Sequence, residues 1–232
     1  MKLNKQQIDR LYEFTRQHYV YWYDLQTELV DHMANSIETQ WQENPKVDFE
    51  DALKVEFKKF GVFGFMDVVE KRQAALGKKY NKLIWKHFKA FFTIPKIFLT
   101  ITLVLGLFWL FKLVFFYEIF TATIIVIFLL TIVALIFERK KFKKRTKKTG
   151  KKWMFEEIIS GYGSFSAILM LPIHVFNAFS NRMDAFPNDY VLFGISLILV
   201  ALFLSSYIVI VIIPSKAEEY LKETYPEYGF VE

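Results

Sequence analysis

The sequence predicts an all-α protein: a small cytoplasmic helical domain followed by a four-helix transmembrane bundle. Three observations predict it. Residues 1–90 carry charge at nearly every turn, whereas most residues from 94 to 213 are apolar, so the chain is built for two environments. The apolar block divides into four segments, each close to the roughly twenty residues that a helix needs to cross a hydrocarbon core. Lys and Arg gather beside those segments, the pattern that orients membrane proteins.

The N-terminal domain is expected over residues 1–77. Asn4 is placed to cap a helix across Lys5–His18, with Ile8, Leu11, Tyr12 and Thr15 on one face. A longer helix over Tyr21–Gln42 repeats Leu25, Leu29, Met33, Ile37 and Trp41 at every fourth place, which makes a stripe for a core. Asn44-Pro45 ends it. Asp48 caps a third helix whose inward residues are expected to be Ala52, Val55, Phe57 and Phe60, and Gly61 is its stop. A fourth helix starts near Gly64–Asp67, carries Val68, Val69 and Leu76 and is expected to continue through Leu83, Ile84 and Phe88 along the membrane surface, with a joint at Lys78–Tyr80 after Gly77 as the alternative.

Residues 78–96 read as an interfacial amphipathic connector, in which Lys82, Lys86 and Lys89 accompany Leu83, Ile84 and Phe88. The spans are placed at residues 97–116, 119–137, 158–179 and 191–213, the last closed by Pro214. In lipid every backbone polar group must bond internally, so all four should be helical. A basic loop over 139–152 holds ten Lys and Arg, whereas the links near Glu118 and over 180–190 are not basic overall. That alternation places the N-terminal domain, the 139–152 loop and the tail 214–232 in the cytoplasm. The start of the chain has no apolar leader, which agrees with an N-terminal domain that stays where it is made. The basic loop is expected mainly as a topology determinant, with anionic lipid headgroups as its functional reading, at ~1 kcal/mol per basic residue. The tail reads as a short amphipathic helix through Ala217, Tyr220 and Leu221 that could dock on the N-terminal domain.

The composition excludes some chemistry. With no cysteine there is no disulfide, thiolate metal site or cysteine nucleophile. The net charge of +6 is not a nucleic-acid footprint, because residues 1–77 hold 10 Lys/Arg against 13 Asp/Glu and the excess lies beside the spans. No paired acids, nucleophile–base set or metal cluster lies at membrane depth, so neither catalysis nor a cofactor is expected. The candidate partner-binding residues are Asp24, Glu28, Asp31 and His32 on the second helix. Glu28 and His32 are four apart and share a helix face, a spacing that can chelate a divalent metal, but a second His or a carboxylate cluster is missing and a hydrogen-bonded or ion-paired role outweighs it. His174 and Asn177 are the tentative intramembrane polar residues, expected to pack between helices or meet interfacial water. Small residues four apart in the same span, Ser160 with Ser164 and Gly163 with Ala167, allow close helix approach.

The stretch Tyr23-Asp24-Leu25-Gln26-Thr27-Glu28-Leu29-Val30-Asp31-His32, with Asp48-Phe49-Glu50-Asp51-Ala52-Leu53 and Phe60-Gly61, resembles the HAAS-type helical domains that precede transmembrane helices in bacteria. The likeness covers roughly residues 5–75, and a similar form is typical of uncharacterised membrane proteins of the Bacteroidota. It implies a signalling or regulatory protein of the cytoplasmic (inner) membrane, beside a cytosolic partner such as a PadR-like regulator. The expectation is therefore a non-enzymatic membrane regulator. The alternative is a small transporter or an accessory subunit of one, motivated by four spans and the His174/Asn177 pair.

Overall fold

The computed structural model describes residues 2–112, 116–161 and 188–230. Most of the third expected span, with Gly163, Ser164, Ala167, His174 and Asn177, lies outside the described residues, as does most of the link over 180–190. The described residues contain helices and no strand.

α1 (Lys5–Gln17) opens with a reciprocal cap: Gln7 N donates to Asn4 Oδ1 at 2.9 Å, and Asn4 N donates to Gln7 Oε1 at 2.9 Å. Two orphan donors are satisfied at once, worth about 1 kcal/mol for the side-chain cap. α2 (Tyr23–Glu43) buries all five residues of its apolar stripe. α3 (Phe49–Lys58) begins where Asp48 Oδ2 accepts from Glu50 N at 3.0 Å and ends before Gly61, whose φ of +79° suits glycine.

The inward face of α3 differs from expectation. Ala52, Leu53 and Glu56 are buried, while Val55 is 51% exposed. At 100° per residue, 52, 53 and 56 share a face that Val55 does not. The buried Glu56 is accommodated because Lys59 Nζ lies at 2.6 Å, Gln40 Nε2 at 3.4 Å and His32 Nε2 at 3.6 Å.

α4 (Met66–Ala90) runs unbroken through Gly77, as the continuing helix is expected to, so there is no joint at 78–80 and the 77/78 boundary falls inside one helix. A helical glycine costs about 1 kcal/mol relative to alanine. The burial of Leu76 and Tyr80 on either side offsets it.

α5 (Lys96–Phe111) has 16 residues, about 24 Å by helical rise, and stops short of the expected end at 116. α6 (Phe116–Thr149) contains the second expected span and then continues through Thr149. The expected 139–152 loop is thus helical through Thr149. Lys and Arg are good helix formers, and no Gly or Pro occurs before Gly150, whose φ of +67° turns the chain. α7 (Met154–Ser160) follows.

α8 (Asp189–Tyr207) is capped by Asn188, whose Oδ1 accepts from Val191 N at 3.0 Å. Pro214 does not close this helix as expected. A π-helical turn (Ile208–Ile212) precedes it, and a last turn runs over Ile213–Ser215. Proline has no N–H and clashes with the carbonyl four residues back, and the wider π turn accommodates both faults. α9 (Ala217–Thr224) and a 3₁₀ turn (Pro226–Phe230) end the described chain.

The helices over Glu118–Thr149 and Asp189–Ser215 are long and apolar enough to cross a membrane. α5 packs beside them, and its exposed Phe98, Leu99 and Trp109 join Leu129, Leu130 and Phe137 of α6 in an apolar outer surface. Such a surface supports a membrane location. α5 and α8 are antiparallel. Lys112 Nζ meets Asp189 Oδ2 at 2.7 Å at one end, and Phe91, just before α5, meets Tyr207 at the other with ring centroids 6.4 Å apart.

Candidate functional site

The N-terminal core is completed by residues far away in the chain. Leu11, Leu25, Met33 and Phe65 share one apolar cluster with Trp153, Phe155, Tyr220 and Tyr225. The junction arises from a local shortage at α7. Its N-cap position is Trp153, which offers no side-chain acceptor, so the first N–H groups of the helix need partners from elsewhere. Asp24 of α2 supplies one: Met154 N donates to its Oδ1 at 3.2 Å. Tyr225 of the tail supplies the next, with Phe155 N donating to its hydroxyl at 3.3 Å. The exchange is mutual, because Tyr23 N at the start of α2 donates to Lys152 O at 2.7 Å.

Aromatic rings seal the junction. Trp153 is 2% exposed and meets Tyr225 at 4.9 Å, Tyr23 at 5.2 Å and Tyr228 at 5.3 Å between centroids. Trp22 Nε1 donates to Glu157 Oε2 at 2.5 Å, and Lys152 Nζ holds the other carboxylate oxygen at 2.9 Å. Arg145, on the extension of α6, reaches Glu156 at 3.7 Å and lies 4.9 Å over the Tyr228 ring. Tail and α4 also meet: Lys79 Nζ donates to Thr224 Oγ1 at 2.9 Å, and His87 Nε2 and the Tyr220 hydroxyl lie 2.7 Å apart. The expected docking of the tail is therefore present, on α4 and α7 as well as on the start of α2.

Burial shapes the electrostatics. Asp24 is 8% exposed, and desolvation raises its pKa above the usual carboxylate value, against the lowering effects of Tyr225, Met154 N and Arg72. Its Oδ2 and the Arg72 Nε are buried without a hydrogen bond. Desolvation likewise raises Glu156, opposed by Arg145, and raises the Tyr225 and Tyr228 hydroxyls, each with a carboxylate nearby. His87 is lowered by burial and then by Lys216, Lys86 and Lys96.

The four residues singled out on α2 do not form one site. Asp24 belongs to the junction. Glu28 is exposed and faces Arg72 of α4 at 3.8 Å. Asp31 is exposed. His32 turns to Glu56 of α3 at 3.6 Å and borders a polar cleft of about 290 Å3 with Asn35, Thr39, Gln40 and Lys59. Glu28 and His32 thus take separate partners, and no group of three or more potential metal ligands occurs among the described residues. Sequence reasoning did not find Trp153, Tyr225, Tyr228 or Glu156. The signal for them is the uncapped start of α7, which demands acceptors from another part of the chain.

Comparison with protein-family models, with curated proteins and with solved structures found no match to this chain.

Proposed function

We propose that this chain is a non-enzymatic regulator of the bacterial cytoplasmic membrane, crossing it four times with both termini in the cytoplasm. Its N-terminal helical domain, residues 1–77 and the continuing α4, binds a cytosolic protein partner. The observation that carries this reading is the junction. The start of α2, the start of α7 and the tail after α8 share one buried core, so a shift of the spans relative to one another would displace the outward face of α2. That face keeps Glu28, Asp31 and His32 accessible beside the polar cleft, and its acids suit a partner with basic groups.

The four-span topology has support in the placement of chain ends. The starts of α5 and α7 and the ends of α6 and α8 lie toward the junction, whereas Lys112 and Asp189 pair at the far end. In this reading the remaining crossing is the expected span over 158–179, most of which lies outside the described residues. The basic extension of α6 supports a junction on the cytoplasmic side. The likeness to HAAS-type domains supports a PadR-like regulator as the class of partner. The transporter reading rests on His174 and Asn177, outside the described residues.

The test uses the full-length protein in its own cells, with a photo-crosslinking residue in place of Asp31. One cytosolic regulator should be recovered, and lost when Glu28→Ala and His32→Ala are combined. Adducts with transport subunits only, or no adduct, would refute the proposal.

A further inference from the structure

α4 has two faces of opposite character. Tyr80, Leu83, Ile84 and Phe88 pack into the protein. Lys78, Lys82, Trp85, Lys86 and Lys89 share the opposite face at helical spacing, and all are exposed. Trp85 is 57% exposed, stacked on Phe88 at 5.6 Å, with Lys89 Nζ 5.4 Å from its ring centroid. No acidic residue occurs anywhere between Glu70 and Glu118. Lysines elsewhere have acidic partners, as Lys59, Lys112 and Lys152 do. Among the described residues none of Lys78, Lys82, Lys86 and Lys89 forms an ion pair with an acid.

The stripe also lies on a helix that crosses the end of α8. Ile84 packs on Val209 of the π-helical turn, and Phe91, the cap residue of α4, on Tyr207, so seven residues along α4 and its cap, about 10 Å, map onto two residues at the end of α8, about 3 Å. α4 therefore crosses the end of α8 steeply instead of prolonging it. Beyond Lys89 the exposed Phe92 and Ile94 lead into the apolar outer surface of α5. A row of cations with a tryptophan, beside an apolar belt and lying across a span, matches the layer of charged headgroups over hydrocarbon.

We propose that the outward face of α4 is a binding surface for anionic phospholipid headgroups, with Lys78, Lys82, Lys86 and Lys89 meeting the phosphates and Trp85 set at the glycerol level. This rests on the membrane reading above and adds the class of lipid. Because α4 also holds the tail through His87 and Lys79, lipid charge bears directly on the junction.

The experiment measures binding of a short-chain, water-soluble phosphatidylglycerol to the detergent-solubilised full-length protein, with phosphatidylcholine as reference. Each lysine is expected to contribute about fivefold in affinity, the equivalent of ~1 kcal/mol per basic residue near an anionic surface. The combined Lys82→Gln, Lys86→Gln and Lys89→Gln variant should therefore bind phosphatidylglycerol on the order of a hundredfold more weakly. A control with the same charge change at the exposed Lys2, Lys5 and Lys46 should bind as the native protein does. Equal loss in both variants, no loss in either, or equal binding of phosphatidylcholine would overturn the proposal. So would an oligonucleotide that displaces phosphatidylglycerol and binds more tightly. Resistance of the wild-type protein to alkaline extraction from membranes is measured separately, so that failure of the membrane reading is told apart from failure of the lipid site.

Discussion

Replacing Trp153 with alanine should release the C-terminal tail. The indole is 2% exposed and touches three tyrosine rings, two of which belong to the tail. Truncating a buried tryptophan costs about 3–5 kcal/mol, part transfer and part cavity. At 1.4 kcal/mol per decade, a loss near 4 kcal/mol lowers protection of the tail amides about a thousandfold, or to the level of undocked chain if docking is weaker than that. Hydrogen exchange of Ala217–Thr224 in the detergent-solubilised full-length protein reads this directly. Trp109→Ala is the control, because Trp109 is exposed on α5 next to Lys112, at the end opposite the junction. If Trp153→Ala leaves tail protection within about threefold of the native value, the rings do not hold the tail and the local-opening argument fails.

Two further outcomes follow from the titrating groups. Asp24 has a raised folded pKa, so its ionised form opposes folding at neutral pH, and the penalty disappears as pH falls through the folded value toward 3.8. Asp24→Asn keeps an acceptor for Met154 N and should match or exceed native thermal stability at pH 7, with the gap closing on acidification, whereas Asp24→Ala strands that donor at about 1–3 kcal/mol; a large loss in Asp24→Asn would contradict the desolvation argument. His87 has the opposite linkage: with its folded pKa below the ordinary 6.5, its contribution is present above that value and is lost as pH falls beneath it. Protection factors of the α9 amides, corrected for the intrinsic pH dependence of exchange, should fall below pH 6.5 in the native protein and less so in His87→Gln, and identical pH profiles for the two would sink this reading.

Local signals were legible wherever one segment contains its own explanation. The fourfold spacing of Leu25 to Trp41, the caps at Asn4 and Asp48 and the stop at Gly61 each act within a few residues, and the structure has all of them. Val55 was misplaced because apolar character was read without the angle it subtends, and Glu56 was missed because a buried carboxylate depends on partners from α2 and its own helix together. In sequence the basic run after Phe137 carries the signature of a loop, because charge signals topology. Helix propensity and the absence of any breaker before Gly150 outweighed that signal. Nothing within Met154–Ser160 identifies Asp24 and Tyr225 as its caps, since they lie 130 and 70 residues from the groups they bond.

Those separations bear on what the N-terminal domain is. Residues 5–75 carry the helical pattern, yet the core they build includes Trp153, Met154 and Phe155 from beyond α6 and Tyr220, Leu221, Tyr225 and Tyr228 from the tail. Burying large apolar side chains is worth about 1.5–3 kcal/mol each, so a fragment cut at 77 loses several such contributions together with the second half of α4. It would also expose Tyr80's neighbours and leave Asp24 without the Met154 N–H. The domain is therefore assembled by the whole chain and cannot complete its core until α8 and the tail are in place. A partner that reads the surface of α2 then reads a chain whose spans are already packed. A disturbance in any of the three segments that meet at Trp153 reaches that surface through one shared core.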